Sequence, residues 1–513
     1  MFNLRGNCRT SGEQRRKESG NVFGEGSRTP IAITILVQKG EADSSRPPRP
    51  VRPLCPAKPP ARIYYRDIGD YLTREDKLRT IQDLGSILSA KMGLSSIEPN
   101  EAGDWINQRD GLFDTFIPLG DKDDKTARTV FVPYYSRGCA SARDAWVYNY
   151  SRQALERNIA SMIGFYNNHV HKFEQGSNKA EFEFDAQKIS WSDSLKQGVQ
   201  KHIRLHCQPE CITTAMYRPF CKQMFFNYKP ILERTYQIPR LFPIPQSRNV
   251  MICVPGIGTK KGFMPFIVDA IPDVQLQFNG QCFPLYYYEK RERDTLSLFD
   301  NGDEEYIRHD AISDFILQRA REEYGPRTTT EDVFYYVYGL LHAREYRERF
   351  ASDLQKSLPR LPLVEDTKAF KAFVAAGRKL AALHLNYESI EPHPSVIIEN
   401  ATASSNVQQM RFGKTNGEED RSVIIYNDGI RILNIPLRAY DWQVNGKSPI
   451  EWIMERYAVT VNKDSQIRND PNDWCGEKGQ PRYILDLIGR IVNVSIQTLD
   501  LMAALPPLSF KTS

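Results

Sequence analysis

Apolar positions change their spacing several times along the chain. The run Thr29–Gln38 (TPIAITILVQ) is short, β-branched and bounded by Pro30 and Gly40, which predicts a buried strand. Tyr64–Leu94 switches to helical spacing, with Leu78, Ile81, Leu84 and Ile87 as its stripe and Thr73-x-x-Asp76 as a capping signal. Asp144–Asn167 predicts a second helix, with Leu155, Ile159, Met162, Ile163 and Tyr166 on one side. Strands return at Asn249–Val254, Pro265–Ala270 and Gln275–Tyr288. Thr330 is placed as N-cap of a helix over Glu331–Lys356, whose apolar positions are Val333, Val337, Leu340, Leu341, Tyr346 and Phe350. Helices follow at Thr367–Leu385 and Pro481–Ala504. Between them Ser395–Leu437 alternates like a small antiparallel sheet, with turns at Asn416-Gly417 and Asp428-Gly429. The expected class is mixed α/β, without internal repeats and with a break near residues 175–200.

At 513 residues and 41% hydrophobic content the chain can bury several cores, which excludes wholesale disorder. No run approaches the ~18 apolar residues a membrane helix needs, and the N-terminus lacks the apolar stretch of a secretory signal. Nine irregularly spaced Cys argue for a reduced, cytoplasmic protein rather than a disulfide scaffold. The net charge of +5 names no partner, but its distribution is uneven. Residues 1–60 carry a net +6 and residues 198–265 a net +8, so the remainder is acidic. The second tract interleaves Tyr217, Phe220, Phe225, Phe226, Tyr228, Tyr236, Phe242 and Phe263 among its cations. Cations that neutralise phosphates beside aromatics that stack on bases suit nucleic acid; a solvated basic face over core aromatics is the alternative.

Sites for catalysis or metal binding are incomplete in this sequence. His202-x3-His206-Cys207-x3-Cys211 offers four ligand types, but all are local and Pro209 interrupts any helix between the cysteines, so zinc is not expected. Gly256–Gly262 (GIGTKKG) misses the phosphate-loop spacing and precedes strand-like sequence, which favours a basic turn. Gly24-Glu25-Gly26 stands before a strand, the wrong order for a dinucleotide site. The carboxylates Asp300, Asp303, Glu304 and Glu305 sit in a polar run, Asn469–Trp474 reads as a turn built from Asx side chains, and no nucleophile elbow is found.

Several long segments nevertheless have a family look. Tyr217-Arg218-Pro219-Phe220 through Gln237-Ile238-Pro239, Tyr335–Phe350 and Pro449–Asp486 resemble the specificity region of single-chain type ISP restriction-modification enzymes. Phe2–Ile33, Ile63–Leu78 and Asp144–Arg152 are similar to the trailing portion of their adenine methyltransferase domain. The resemblance implies residues 1–175 as a methyltransferase remnant, with a Pro/Arg-rich insertion at 41–61, and residues 176–513 as a DNA target recognition domain. The family's Walker motif and its N-P-P-Y or D-P-P-Y tetrapeptide are missing from this sequence. The tetrapeptide holds and stacks the flipped base, so no catalytic residue is assigned. No cofactor is expected in this chain; S-adenosylmethionine, ATP and Mg2+ serve the full-length enzyme.

Double-stranded DNA is thus the implied partner, together with an upstream polypeptide carrying nuclease, motor and methyltransferase motifs. The residues expected to contact DNA are Arg218, Lys222, Arg234, Lys260 and Lys261, joined at the N-terminus by Arg5, Arg9, Arg15, Arg16 and Lys17. For Arg218 and Arg234 a structural ion pair is the competing role. The main expectation is sequence-specific recognition without catalysis. The alternatives are an adenine methyltransferase completed by a second polypeptide, and a decayed fragment without stable activity.

Overall fold

The structure is a computed structural model and describes residues 1–7, 16–24, 27, 29–37, 61–124, 126–175, 181–291 and 305–510. Arg9, Arg15, most of the Pro/Arg-rich tract 41–61 and the carboxylates Asp300, Asp303 and Glu304 lie outside them. The described part is mixed α+β, and among its residues no helix is long and apolar enough to cross a membrane. It divides into two compact units, Met1–Arg109 and Asp110–Ser513. That division falls upstream of the break expected near 175–200: the helix Arg152–Glu174 buries Leu155, Ile159, Met162, Ile163 and Tyr166 in the same core as Leu195, Val199 and Ile212.

The smaller unit is built on a four-stranded sheet in the order Ile31–Ile33, Phe2–Arg5, Ile63–Asp67, Ser95–Ile97. Phe2–Arg5 is antiparallel to Ile31–Ile33 and parallel to Ile63–Asp67. The strand expected at Thr29–Gln38 shrinks to three residues at a sheet edge, and Ile35, Leu36 and Val37 are exposed rather than buried. An apolar run without a second face to pack against forms an edge, not a core. The helix expected over Tyr64–Leu94 is likewise shorter: Ile63–Asp67 pairs as a strand, and the helix spans Arg74–Leu84. Its capping box at Thr73 and Asp76 is present, and Gly85, at φ +67°, ends it before Ile87. Of the stripe, Leu84 is buried and Leu78 and Ile87 are exposed.

In the larger unit a three-stranded antiparallel sheet, Phe266–Val268, Met251–Val254 and Gln281–Pro284, separates two cores. Side chains alternate across a strand. Met251 and Cys253 therefore enter one core with Phe266, Val268 and Cys282. Ile252 and Val254 enter the other with Ile267, Phe283 and Leu285. The expected strand Gln275–Tyr288 begins later and is split at Leu285 into Gln281–Pro284 and Tyr286–Lys290. The second core is closed by the helices Thr330–Leu341 and Thr367–Leu385. The first has Thr329, one residue before the expected cap, in a capping box with Asp332. The long helix expected through Lys356 is broken into Thr330–Leu341, Arg344–Arg349 and Ala351–Lys356, all six of its apolar positions being buried. The two main helices cross at Gly339 and Gly377, each of which lies against the other's backbone.

The first core carries the four-stranded sheet Ile271–Pro272, Ile212–Arg218, Cys221–Phe226, Tyr148–Asn149 and the helix Tyr483–Ala503. The sheet expected in Ser395–Leu437 runs Ile397–Glu399, Arg431–Leu433, Glu418–Ile425, Arg411–Thr415. Asn416 and Gly417, both at positive φ, turn its outer hairpin.

Two imidazoles are sealed between the cores. The Thr498 hydroxyl donates to the Val494 carbonyl at 2.7 Å, so it accepts from His384 Nε2–H at 2.9 Å and leaves Nδ1 to accept from the Tyr338 hydroxyl at 2.6 Å. His342 donates from Nδ1 to the Tyr338 carbonyl at 2.8 Å. Burial lowers the His342 pKa to about 3 and drives that of His384 well down. Folded-state values below the unfolded ones give stability that is complete above about pH 6.5 and lost as the pH falls. Acidification from pH 6.5 toward 4 is expected to remove about 1.4 kcal/mol per pH unit per histidine. Denaturant melts at pH 7 and 5 check this, and His342→Asn should flatten the dependence.

Candidate nucleic-acid interface

The basic tract 198–265 folds into the hairpin Ile212–Arg218/Cys221–Phe226, the segment through Phe242, and the strand and loop from Met251 to Phe263. Phe220, at φ +59° in the hairpin turn, lies edge-on to Phe266, Tyr387 and Trp442 at ring distances of 4.9, 5.1 and 5.7 Å. Phe225, Phe226 and Phe242 are buried as well. Most aromatics of the tract therefore build core, and base stacking by them is not supported; Tyr236 alone among the eight is clearly exposed.

The cations fall into two groups. Arg218 donates to Asp273 Oδ1 at 2.6 Å, and its guanidinium lies 4.0 Å above the Tyr217 ring. Burial, opposed by Arg218, lifts the Asp273 carboxyl to about 6. Lys222 pairs with Glu388 at 2.6 Å, and Glu388 also accepts from the Tyr483 hydroxyl at 2.5 Å. Burial would raise the Glu388 carboxyl, but Lys222 and Tyr483 hold it below the usual carboxylate range. Both cations are thus committed to partly buried ion pairs, which for Arg218 is the competing role. Arg234 is exposed, joined to Ala140 through its backbone. Lys260 and Lys261 lie exposed in the loop between Gly258 and Gly262, whose positive φ angles of +84° and +78° shape the turn. In the smaller unit Arg5 is bound to Asp67 at 2.7 Å and to Asp70, and Arg16 is exposed.

Chain folding adds cations that the tract does not contain. Gly446, at φ +80°, comes so near Lys261 that a Cβ there would meet its side chain at 3.0 Å. Lys447 and Arg456 flank the Trp452 ring at 5.0 and 5.6 Å and share one carboxylate, Glu455. Although Lys261 is exposed as a residue, partial desolvation of its ammonium and the nearby charges of Arg218 and Arg456 lower its pKa; desolvation, Arg456 and Lys261 do the same for Lys447. Four cations, Arg218, Lys261, Lys447 and Arg456, are therefore close enough to repel, and an incoming anion relieves that repulsion. Lys447 and Arg456 were missed from the sequence because they stand some 200 residues from the basic tract and are joined to it only by the fold.

The tract Asn469–Trp474 is more than a turn: Asp470 N-caps the helix Pro471–Glu477 by accepting from the Asn472 N–H. Among the described residues no three His, Cys, Asp or Glu side chains gather to hold a metal ion. His202 is in a left-handed turn at φ +57°, so it and His206 do not share a helix face.

The described residues thus form an α+β body with a cation cluster beside an antiparallel hairpin, and comparison with known proteins makes its class specific. Residues 130–487 match the Type ISP C-terminal specificity domain, and the chain belongs to that family. Over its full length it is similar to a nuclease-deletion mutant of the Type ISP restriction-modification enzyme LlaGI in complex with a DNA substrate mimic, with 35% identity and a TM-score of 0.81. It is similar to the ATP-dependent Type ISP enzyme LlaBIII bound to DNA, with 33% identity and a TM-score of 0.82 over 99% of the chain. A DrdV–DNA complex follows at 26% identity and a TM-score of 0.78, also over 99%. The chain spans only 44%, 31% and 48% of those three proteins. No curated relative matches it.

Proposed function

We propose that this chain is the sequence-reading part of a type ISP restriction-modification system and binds double-stranded DNA. The observation that carries the reading is the cluster of Arg218, Lys261, Lys447 and Arg456, whose charge is offset in part by Asp273 and Asp144 at Arg218 and by Glu455 at Lys447 and Arg456, within a family whose solved relatives are DNA complexes. Phosphate contacts position such a protein and base-edge contacts select its site. The reading gives the chain no cofactor of its own. S-adenosylmethionine, ATP and Mg2+ act in the methyltransferase and motor parts of such an enzyme.

Exposed Lys260 and the adjacent Lys261 are the phosphate contacts of this reading. Lys260→Ala/Lys261→Ala is expected to weaken binding about equally for all duplex sequences and to flatten the salt dependence by about one to two in log–log slope. Fluorescence anisotropy at several salt concentrations measures both. Unchanged affinity in the double variant would remove the loop from the interface.

A further inference from the structure

The strands Thr460–Val461 and Arg468–Asn469 form a two-stranded antiparallel ribbon, Thr460 opposite Asn469 and Val461 opposite Arg468. Its tip is internally fixed. The Asn462 side-chain carbonyl accepts from the N–H groups of Asp464 and Ser465 at 3.1 and 2.9 Å and from the Ser465 hydroxyl at 3.0 Å. The Asn462 N–H reaches the Ile467 carbonyl at 2.9 Å, and the Gln466 N–H returns to the Asn462 carbonyl at 3.0 Å. The base is fixed too. Asn469 accepts from the Tyr150 N–H at 2.9 Å and donates to Gln223 at 3.2 Å, while Asn149 donates to the Arg468 carbonyl at 3.2 Å.

Ser465 is buried and Ile467 packs against the first core, but part of this ribbon faces outward: Val461 is 53% exposed, and Lys463, Gln466 and Arg468 are exposed beside it. It forms one wall of a cleft of about 380 Å³ whose other wall includes Asp144, Tyr148, Tyr217 and Gln223. Tyr217 is the ring under Arg218, and Arg456 ends the helix Pro449–Arg456 just before the ribbon. The cation cluster thus lies at the ribbon's root.

We infer that this ribbon enters the major groove of duplex DNA and that Lys463 and Gln466 read base edges, while Lys261, Lys447 and Arg456 hold the flanking phosphates. The inference rests on the proposed DNA-binding function and adds the element that selects the sequence. A two-stranded ribbon fits the major groove, where a glutamine amide pairs with adenine N6 and N7 and a lysine ammonium with guanine O6 and N7. Gln466 is prepared for this. One Nε2 hydrogen is bound by the Lys463 carbonyl at 2.6 Å, which orients the amide and leaves Oε1 and the second hydrogen for a base. A tip already ordered loses little conformational entropy on docking.

The test is selection from a library of randomised duplexes with the full chain, comparing wild type with Lys463→Ala/Gln466→Gly. Glycine is chosen because Gln466 stands at φ +55°. The wild type is expected to enrich a defined site. The variant should keep most of that site and lose about 10- to 100-fold discrimination at one or two adjacent positions, with affinity for unrelated duplex reduced only about twofold. A variant that selects the same site at every position overturns the inference and leaves DNA binding intact. So does a variant that melts like wild type but loses all binding, since the ribbon then supplies affinity rather than selection. A wild type that binds no duplex, or enriches no sequence, overturns the proposed function itself. If the double variant melts lower than wild type, Lys463→Ala alone gives the same readout, because its side chain makes none of the tip's hydrogen bonds.

Discussion

Arg218→Ala is expected to cost about 1–2 kcal/mol of stability at pH 5 and about 3 kcal/mol more at pH 8. The pH-independent part is the lost hydrogen bond to Asp273 and the lost contact with the Tyr217 ring. The pH-dependent part comes from Asp273, only 2% exposed, whose carboxyl burial lifts from 3.8 to about 6 even with Arg218 beside it. A folded-state value above the unfolded one means that ionising Asp273 weakens the fold as the pH rises from 3.8 to about 6. Once Asp273 is charged on both sides of the equilibrium, the wild-type loss stops. Without Arg218 the carboxyl is held neutral to higher pH, so the loss continues at about 1.4 kcal/mol per unit beyond pH 6. Urea unfolding of wild type and variant at pH 5 and pH 8 measures both parts. A variant with the same deficit at the two pH values would show that Arg218 is not the counter-charge of Asp273.

Gly377→Ala is the second large effect, expected to cost about 3 kcal/mol or more. A Cβ at Gly377 would stand 1.9 Å from the Tyr335 carbonyl oxygen and 3.0 Å from the Gly339 nitrogen. The obstacle is backbone on a neighbouring helix, so no rotamer change relieves it and the helices Thr330–Leu341 and Thr367–Leu385 must move apart. That separation also loosens Phe334, Val337, Phe373 and Leu380 in the second core. Gly164→Ala is the matched control: it lies on an exposed position of the helix Arg152–Glu174, with open space around it. Its better helix propensity is expected to stabilise by about 0.5–1 kcal/mol. Thermal melts of the two variants should therefore shift in opposite directions.

Local signals carried most elements of the larger unit. Thr367–Leu385 is a helix over the expected residues, and the Asn416-Gly417 turn, the apolar face of Arg152–Glu174 and the strand Met251–Val254 all follow from period and turn chemistry. Failures came where tertiary context overrules spacing. Ile35, Leu36 and Val37 have strand composition but an edge position, and the Ala343 region breaks a helix whose apolar positions remain in phase. The site was legible in part for a similar reason. Residue type marks Arg218, Lys222 and Lys261 as cations, but only geometry shows which of them is neutralised by Asp273 or Glu388. Lys447, Arg456 and the ribbon at 460–469 join the cluster through folding alone, and the long motif around Pro449–Asp486 pointed to a family without pointing to them.

The sheet that separates the two cores has a consequence for how such a protein diversifies. Met251, Ile252, Cys253 and Val254 go alternately to opposite sides, so inserting or deleting one residue there would exchange the contents of both interiors at once. Point changes can be absorbed by one core; a change of length cannot. The exposed tip positions Lys463, Asp464 and Gln466 lie under no such constraint, whereas Ser465 is buried and Ile467 packs against the first core. Side-chain changes at those exposed positions therefore leave both interiors as they are, while the dividing strands must keep their count. Binding preference can drift without the architecture having to follow.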